Sequence, residues 1–365
     1  MWKAGPWCVR PTTPTSTSTK PAHGPANAVL KTLTLGINGF GRIGRTLYRL
    51  LLQHPHLQVG LINDLADAPT LAHLLKYDSI HGVLDLPVEA DASGFIVGGS
   101  HTPLSNHPRP QDIPWGRHGV DLVVDATGQF KDREGLEGHL ASGARKVLLS
   151  APPADPQIPM VVYGINDSLL GPGVDIFSNA SCTTHNAAPM IQVLDRLCGI
   201  KQAYITTVHS YTSDQSLHDR PHRDLRRARA AALSIVPTTT GAAKALTHIF
   251  PHLAGAIGGC GIRVPVPNGS LTDVTAHVRK PLDIQEINAT FEEVSKNSLK
   301  KVLHYTQDPI VSVDINNSCY SCTFDSQMTS VIGNMVKVIG WYDNETGYSS
   351  RIIDTIELML EKGFI

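Results

Sequence analysis

Apolar positions along the chain change their period several times, and each change predicts an element. Leu33 to Asn38 (LTLGIN) is a short apolar run that reads as a strand. Gly39-Phe40-Gly41-Arg42-Ile43-Gly44 follows, and RTLYRLLLQH then places Ile43, Leu47, Leu50 and Leu51 at helical spacing. A second strand is expected over Leu57 to Asn63 (LQVGLIN), a buried one over Val120 to Ala126 (VDLVVDA) and another over Lys146 to Ser150 (KVLLS). Strands alternating with helices in this way predict a parallel, doubly wound α/β sheet. Further on, Met190, Ile191, Leu194 and Leu197 carry a helical pattern that follows Cys182, and Tyr204 to Val208 (YITTV) is a β-rich run ending at His209.

Composition adds limits. At 365 residues, 41% hydrophobic and 17% charged, the chain is long enough for about two domains with substantial cores. A net charge of −1 gives no general attraction to nucleic acid or to an anionic membrane, so neither is expected as primary partner. No apolar run reaches the length of a membrane span. Residues 1–32 are rich in Pro, Thr and Ser, contain no acid and read as a disordered N-terminal tail; repeated prolines and the lack of an apolar core argue against a targeting peptide. The next methionine after Met1 is Met160, which leaves Val29 as a candidate alternative start. Six cysteines do not make a secreted disulfide framework, and a reducing, cytoplasmic location is expected. Cys319 and Cys322 form a lone C-x-x-C without a second pair or a nearby histidine, so no metal is expected there.

The candidate chemistry falls into two groups. In the first, Gly39 permits a tight turn after the strand, Gly41 lets backbone approach a pyrophosphate, and Gly44 lets the helix pack close to the sheet. Asp64 ends the second strand at the distance where an acid bonds a ribose hydroxyl, and Leu65 beside it offers no charge for a 2′-phosphate, which favours NAD over NADP. Thr127, Gly128 and Ser150 follow the later strands, beyond the carboxyl ends where ligands of such sheets sit; each is also an ordinary strand-to-loop residue. In the second group, Ser178-Asn179-Ala180-Ser181-Cys182-Thr183-Thr184 puts Cys182 at a helix start, where the free N–H groups and the helix dipole favour a thiolate. A single cysteine is as readily a small core residue, and His209 is either its base or a satisfied loop histidine. The stretch from Arg220 to Arg229 reads by itself as a solvated charge run or a nucleic-acid patch.

The segments GINGFGRIGR, LLKYDSIHG, NASCTT, TTVHSYT, DLRRARAAA, PTTTGAAKAL, RVPVPNGS and WYDNETGYS occur in this order, and together they resemble the phosphorylating glyceraldehyde-3-phosphate dehydrogenase family from about Leu33 to the C-terminus. The resemblance implies a Rossmann-type NAD-binding domain over 33–181, an α+β catalytic domain over 182–345, and a C-terminal helix over 346–365 that returns to the first domain. It implies a cytoplasmic glycolytic homotetramer that oxidises D-glyceraldehyde 3-phosphate with NAD and inorganic phosphate. Cys182 would attack the aldehyde, pass through a thiohemiacetal to a thioester, and release an acyl phosphate, with His209 as general base. By the same resemblance, Arg42 and Ile43 join the glycines in holding the cofactor, Asn344 orients its nicotinamide amide and Tyr348 packs near the ring. Thr212 and Arg263 would hold the substrate phosphate, while Ser181, Thr183, Arg227, Thr240 and Gly241 would hold the attacking one.

Departures from the family pattern mark where behaviour could differ. His185 and Asn186 stand where Asn and Cys are usual; His185, one turn from Cys182, either alters the thiolate and cofactor contacts or is a neutral change on a helix surface. Arg220-Pro221 stands where Leu-Pro is usual in the loop near the adenosine ribose, which predicts NAD preference with some NADP tolerance. His107-Pro108-Arg109-Pro110 lacks the usual wording, so no cofactor contact is carried onto Arg109. Two alternatives remain: an erythrose-4-phosphate dehydrogenase, and a non-catalytic dinucleotide-binding scaffold.

Overall fold

The computed structural model describes residues 32–365, and the readings of the N-terminal tail and of its alternative start lie outside them. β1 (Leu33–Asn38) and β2 (Leu57–Asn63) have the bounds their apolar runs predict, with α1 (Arg42–Leu51) between them. α2 (Ala68–Lys76) begins where Asp67 Oδ1 accepts the Thr70 N–H at 2.7 Å. A two-residue hairpin, β3 (Tyr77–Asp78) and β4 (Gly82–Val83), leads into the meander β5 (Val88–Asp91), β6 (Gly94–Val97) and β7 (Ser100–Ser105). β8 (Leu122–Asp125) and β9 (Lys146–Leu149) flank α3 (Arg133–Ala141), each a little shorter than its apolar run, and β10 (Ile176–Ser178) follows. The sheet order is β10-β9-β8-β1-β2-β7-β6-β5, parallel from β10 to β7 and antiparallel beyond. From β1 the chain turns to β2 on one side and later to β8 on the other, so a crevice opens at their carboxyl ends.

Polar side chains cross those ends. Asn63 Nδ2 donates to Asn38 Oδ1 at 2.9 Å, Asn38 Nδ2 donates to Asp125 Oδ2 at 2.8 Å, and His139 Nε2 lies 3.1 Å from the same carboxylate oxygen. Trp115 Nε1 donates to His139 Nδ1 at 3.0 Å, which leaves His139 its proton on Nε2, aimed at Asp125. All of these groups are buried, so the pairing is what makes their burial affordable.

After α4 (Cys182–Cys198) a second sheet forms from β11 (Ile200–Ser210), β12 (Val236–Thr238), β13 (Ile257–Val264) and β14 (Ser270–Val278), with α5 (Ala242–Ile249) between β12 and β13. α6 (Ile284–Lys296), opened by a capping box of Asp283 and Glu286, leads to β15 (Leu303–Thr306), β16 (Cys322–Asp325), β17 (Ser330–Ile332) and β18 (Met335–Tyr342). The order is β12-β13-β11-β14-β18-β16-β15, with β17 on β18. β11 is longer than the YITTV run, and His209 lies inside it, because β13 and β14 pair with it on both sides. α7 (Thr346–Glu361) ends the chain: its Tyr348, Ile352, Ile353, Ile356 and Met359 share the core of the first sheet with Leu35 and Leu47. Cys322 is a free, fully buried thiol on β16, whereas Cys319 is disulfide-bonded, so the C-x-x-C is not a dithiol. Among the described residues no helix is long and apolar enough to cross a membrane.

Candidate active site

The glycine turn between β1 and α1 has the shape its sequence implies. Gly39 adopts φ +91°, and a Cβ on Gly44 would meet the Gly39 carbonyl oxygen at 2.2 Å, so no side chain fits there. A Cβ on Gly41 would meet nothing within 4 Å, which leaves the start of α1 open to a ligand. Asp64 locks the turn: its Oδ2 accepts the Phe40 N–H at 2.7 Å and its Oδ1 accepts the Ala66 N–H at 3.0 Å. Gly39, Gly41, Asp64 and Thr127 line a cavity of about 250 Å³ together with Asn38, Asn63, His107, Pro108 and Phe130, none of which was assigned to the cofactor from sequence. An acid at one end and a helix start with free N–H groups at the other fit a dinucleotide. Arg109 is not among the lining residues; its guanidinium pairs with Asp112, Nε to Oδ2 at 2.7 Å. Arg220 and Pro221 do not line it either.

A second cavity, of about 440 Å³, is lined by Arg42, Ile43, Gly128, Ser150, Ser181, Cys182, His209, Thr212, Arg263, Asn344 and Tyr348. Arg42 enters it with its guanidinium already paired to Glu345 and Asp78. Asn344 Oδ1 accepts from Ser210 Oγ at 2.9 Å and from Ser270 Oγ at 3.0 Å, so the group it has left to offer is its amide N–H pair. Tyr348 donates to the Ala180 carbonyl at 3.4 Å.

Cys182 opens α4 behind Ser181, whose Oγ accepts the Thr184 N–H at 3.2 Å as N-cap. Ala180, just before the cap, is held at φ +49°, a strained value for a residue with a side chain. The Cys182 sulfur lies 3.5 Å from His209 Nε2. Parallel pairing of β11 with β13 sets Arg263 directly beside His209. His209 Nδ1 is 2.7 Å from the Ser210 carbonyl and 2.7 Å from Arg263 Nη1, which also donates to that carbonyl at 2.9 Å. A proton on Nδ1, donated to Ser210, leaves the Nε2 lone pair facing the thiol, whereas donation from Arg263 to Nδ1 puts the ring proton on Nε2. The electrostatics correct the expected thiolate: burial pushes the Cys182 thiol up, against the downward pull of Arg263 and the Thr183 N–H. Burial and then the Arg263 charge push His209 down to about 3, with the Ser210 carbonyl a partial offset. Burial thus favours the neutral form of each partner.

His185 also departs from expectation. It is 1% exposed, inside the packing of α4 rather than on a helix surface, with its ring edge-on to Tyr348 at 5.8 Å. Its Nδ1 lies 3.3 Å from the Ser181 carbonyl, and its Nε2 has no hydrogen-bond partner. Asn186 Nδ2 donates to the Ser321 and Trp341 carbonyls, both at 3.2 Å.

A third cavity, of about 600 Å³, meets the second at Ser181, Cys182, His209 and Arg263, and adds Thr183, Arg227, Thr240 and Gly241. Lys131, Arg223 and Thr238 line it as well; Arg223 lies in the basic stretch from Arg220 to Arg229 and Lys131 three residues past Gly128, but none of the three was assigned to the site from sequence. Asp214, also missed, lines both cavities and pairs with Arg227, Oδ2 to Nη1 at 2.7 Å. Arg227 holds the Asp214 carboxyl below its usual range despite partial burial. The arrangement offers a thiol, an adjacent base and an anion-binding wall on one side, with a dinucleotide-shaped cleft on the other.

Residues 33–133 match the glyceraldehyde 3-phosphate dehydrogenase NAD binding domain, and residues 181–344 match the C-terminal domain of the same family. A glyceraldehyde-3-phosphate dehydrogenase of Geobacillus stearothermophilus is 48% identical over 331 residues, covering 90% of this chain and 98% of the relative. Glyceraldehyde-3-phosphate dehydrogenase 1 of Bacillus subtilis (strain 168) is 46% identical over the same span and coverage. A glyceraldehyde-3-phosphate dehydrogenase of Streptomyces coelicolor is 48% identical over 88% of this chain and 97% of its own length. On fold, site and likeness together, the chain belongs to the glyceraldehyde-3-phosphate dehydrogenase family.

Proposed function

We propose that the chain oxidises D-glyceraldehyde 3-phosphate with NAD and inorganic phosphate to 1,3-bisphosphoglycerate, using Cys182 as nucleophile and His209 as base. The observation that carries this reading is the 3.5 Å approach of Cys182 Sγ to His209 Nε2 where the cofactor-side cavity meets the cation-lined one. The erythrose-4-phosphate and scaffold alternatives are not favoured, since the relatives carry the triose name.

The glycine turn, Asp64, Thr127 and Asn344 would hold NAD, which supplies the two-electron oxidant when bound. His209 Nε2 takes the thiol proton as sulfur adds to the aldehyde carbon, giving a thiohemiacetal on Cys182. Being neutral, the ring can accept that proton, but burial and the Arg263 charge weaken it as a base. Oxidation leaves a thioester, and the carbon–sulfur bond breaks when a phosphate oxygen attacks, returning the electron pair to Cys182. Thr212 on the second cavity and Arg263 on the wall the two cavities share are suited to the substrate phosphate, and Ser181, Thr183, Arg227, Thr240 and Gly241 to the attacking one.

The same reading divides the chain at residue 181, assigns α7 to the cofactor domain, and places the protein in the cytoplasm as a homotetramer. The loop between β11 and β12 exposes Leu217, Leu225, Leu233 and Ile235 by 69–85%, apolar surface that supports burial against another subunit. Steady-state assays of triose and erythrose 4-phosphate with NAD or NADP, plus and minus phosphate, test the proposal: it requires phosphate-dependent NADH formation from the triose, and equal or better use of the erythrose substrate would refute it.

A further inference from the structure

The pair α1 and α7 run side by side, and two contacts join them at equal spacing along both helices. Arg42 meets Glu345 at their N-terminal ends, and His54 meets Glu357 beyond the C-terminal end of α1 and in the last turns of α7, each pair 303 residues apart. The second contact involves three groups. His54 Nδ1 lies 2.9 Å and His56 Nε2 3.4 Å from the same oxygen, Glu357 Oε1. All three ligand atoms fall within 4.8 Å of one another, and the side chains are about a fifth exposed, at 22%, 22% and 18%.

Two imidazole nitrogens and a carboxylate oxygen are the donor set of open zinc sites. Metal–ligand bonds of roughly 2.0–2.2 Å put tetrahedral ligands about 3.3–3.5 Å apart, so the two nitrogen–oxygen spacings, 2.9 and 3.4 Å, need to open by about half an ångström at most to admit an ion. The carrier loop is already fixed. His54 N donates to the Leu51 carbonyl at 2.9 Å, Leu57 N to the His54 carbonyl at 2.8 Å, and Leu33 N to the His56 carbonyl at 2.9 Å, with Pro55 restricting the backbone between the two histidines. The three residues line none of the cavities around Cys182.

The geometry points to a site for a zinc-class divalent cation formed by His54, His56 and Glu357, with one coordination position left to water. Bound there, the ion ties the turn between α1 and β2 to α7, at the opposite ends of the helices from the Arg42–Glu345 contact. Carboxylate-preferring ions such as Mg²⁺ suit two imidazoles poorly.

The test uses the full chain carrying Cys182→Ser, because the Cys182–His209 pair is itself a donor set for soft metals. Chelator-treated protein is titrated with Zn²⁺ against a chromophoric competitor, beside the same protein with His54→Ala and His56→Ala added. One equivalent of Zn²⁺ per chain is expected, with a rise in Tm on saturation, and an affinity loss of at least the ~10–100-fold that even outer-shell changes cause. If the double variant folds poorly, Glu357→Gln in the same background keeps the shape, and the same loss is expected. Zn²⁺ bound with equal affinity and stoichiometry after either change, or not bound at all by the parent, overturns the site.

Discussion

Arg42, on the first turn of α1, closes on Glu345 at the start of α7, Nε to Oε1 at 2.9 Å. The same guanidinium meets Asp78, and His81 Nε2 lies 2.8 Å from Glu345 Oε2, so one partly buried ionic cluster joins two helix starts at the edge of the Cys182 cavity. Arg42→Ala leaves Asp78 and Glu345, 5% and 9% exposed, without the guanidinium, with His81 still facing Glu345. Because Arg42 itself is a quarter exposed, the expected loss is discounted to about 2 kcal/mol in urea unfolding. A rise in KM for NAD should accompany it, since Ile43 and Asn344 share that cavity wall.

The same cluster sets an acid limit. Burial raises the Asp78 carboxyl, but Arg42 and the His81 and Ile80 N–H groups outweigh it and hold it at about 2, below its usual 3.8. The folded state then binds this proton less readily than the unfolded state, so its stabilisation is complete above about pH 4 and fades as pH falls towards 2. The shift corresponds to roughly 2 kcal/mol, and Arg42→Ala should move this limb of the stability curve to higher pH.

His185 predicts a second pH effect of distinct range. Burial, with Arg351 adding to it, pushes the ring down to about 3 from 6.5. Between those values the unfolded chain is protonated and the folded chain is not, so stability falls as pH drops from about 6.5 towards 3. His185→Asn should flatten that slope in thermal melts while activity at neutral pH stays near wild type; an unchanged slope would show that the ring is not buried and neutral.

Asp64 is expected to set cofactor choice. Its carboxylate is anchored by Phe40 N and Ala66 N at the rim of the glycine cavity. Asp64→Ala removes acceptors for the ribose hydroxyls and a charge that repels a 2′-phosphate. The NAD kcat/KM should fall by roughly 10–100-fold, the scale of one or two charged hydrogen bonds, while NADP use falls less or rises. Wild type should prefer NAD.

Much of this site was legible because its signals are local. LTLGIN and LQVGLIN end where glycine or Asp64 breaks the apolar run, and Ser181 caps the helix that Cys182 begins. What escaped reading depended on surroundings. α4 is enclosed on nearly every side, so periodicity could not tell that His185 faces packing rather than solvent. The helix start favours a thiolate, yet burial outweighs it, and burial is a property of the assembled domains. His54 and Glu357 have no common pattern in sequence, and only the side-by-side packing of α1 and α7 brings them together.

His209→Gln keeps a polar group beside the sulfur but removes the base. The expected fall in kcat is on the order of 10²–10⁴-fold, with the remaining rate climbing at high pH as the raised Cys182 thiol ionises unaided. A variant with an unaltered pH profile would remove His209 from proton transfer.

The most direct test of the central claim is rapid mixing of enzyme, NAD and D-glyceraldehyde 3-phosphate without phosphate, followed by mass analysis and then addition of phosphate. The account predicts a burst of one NADH per chain, an acyl adduct on Cys182, and steady turnover only once phosphate arrives. Full turnover without phosphate, or an adduct on another residue, would contradict it.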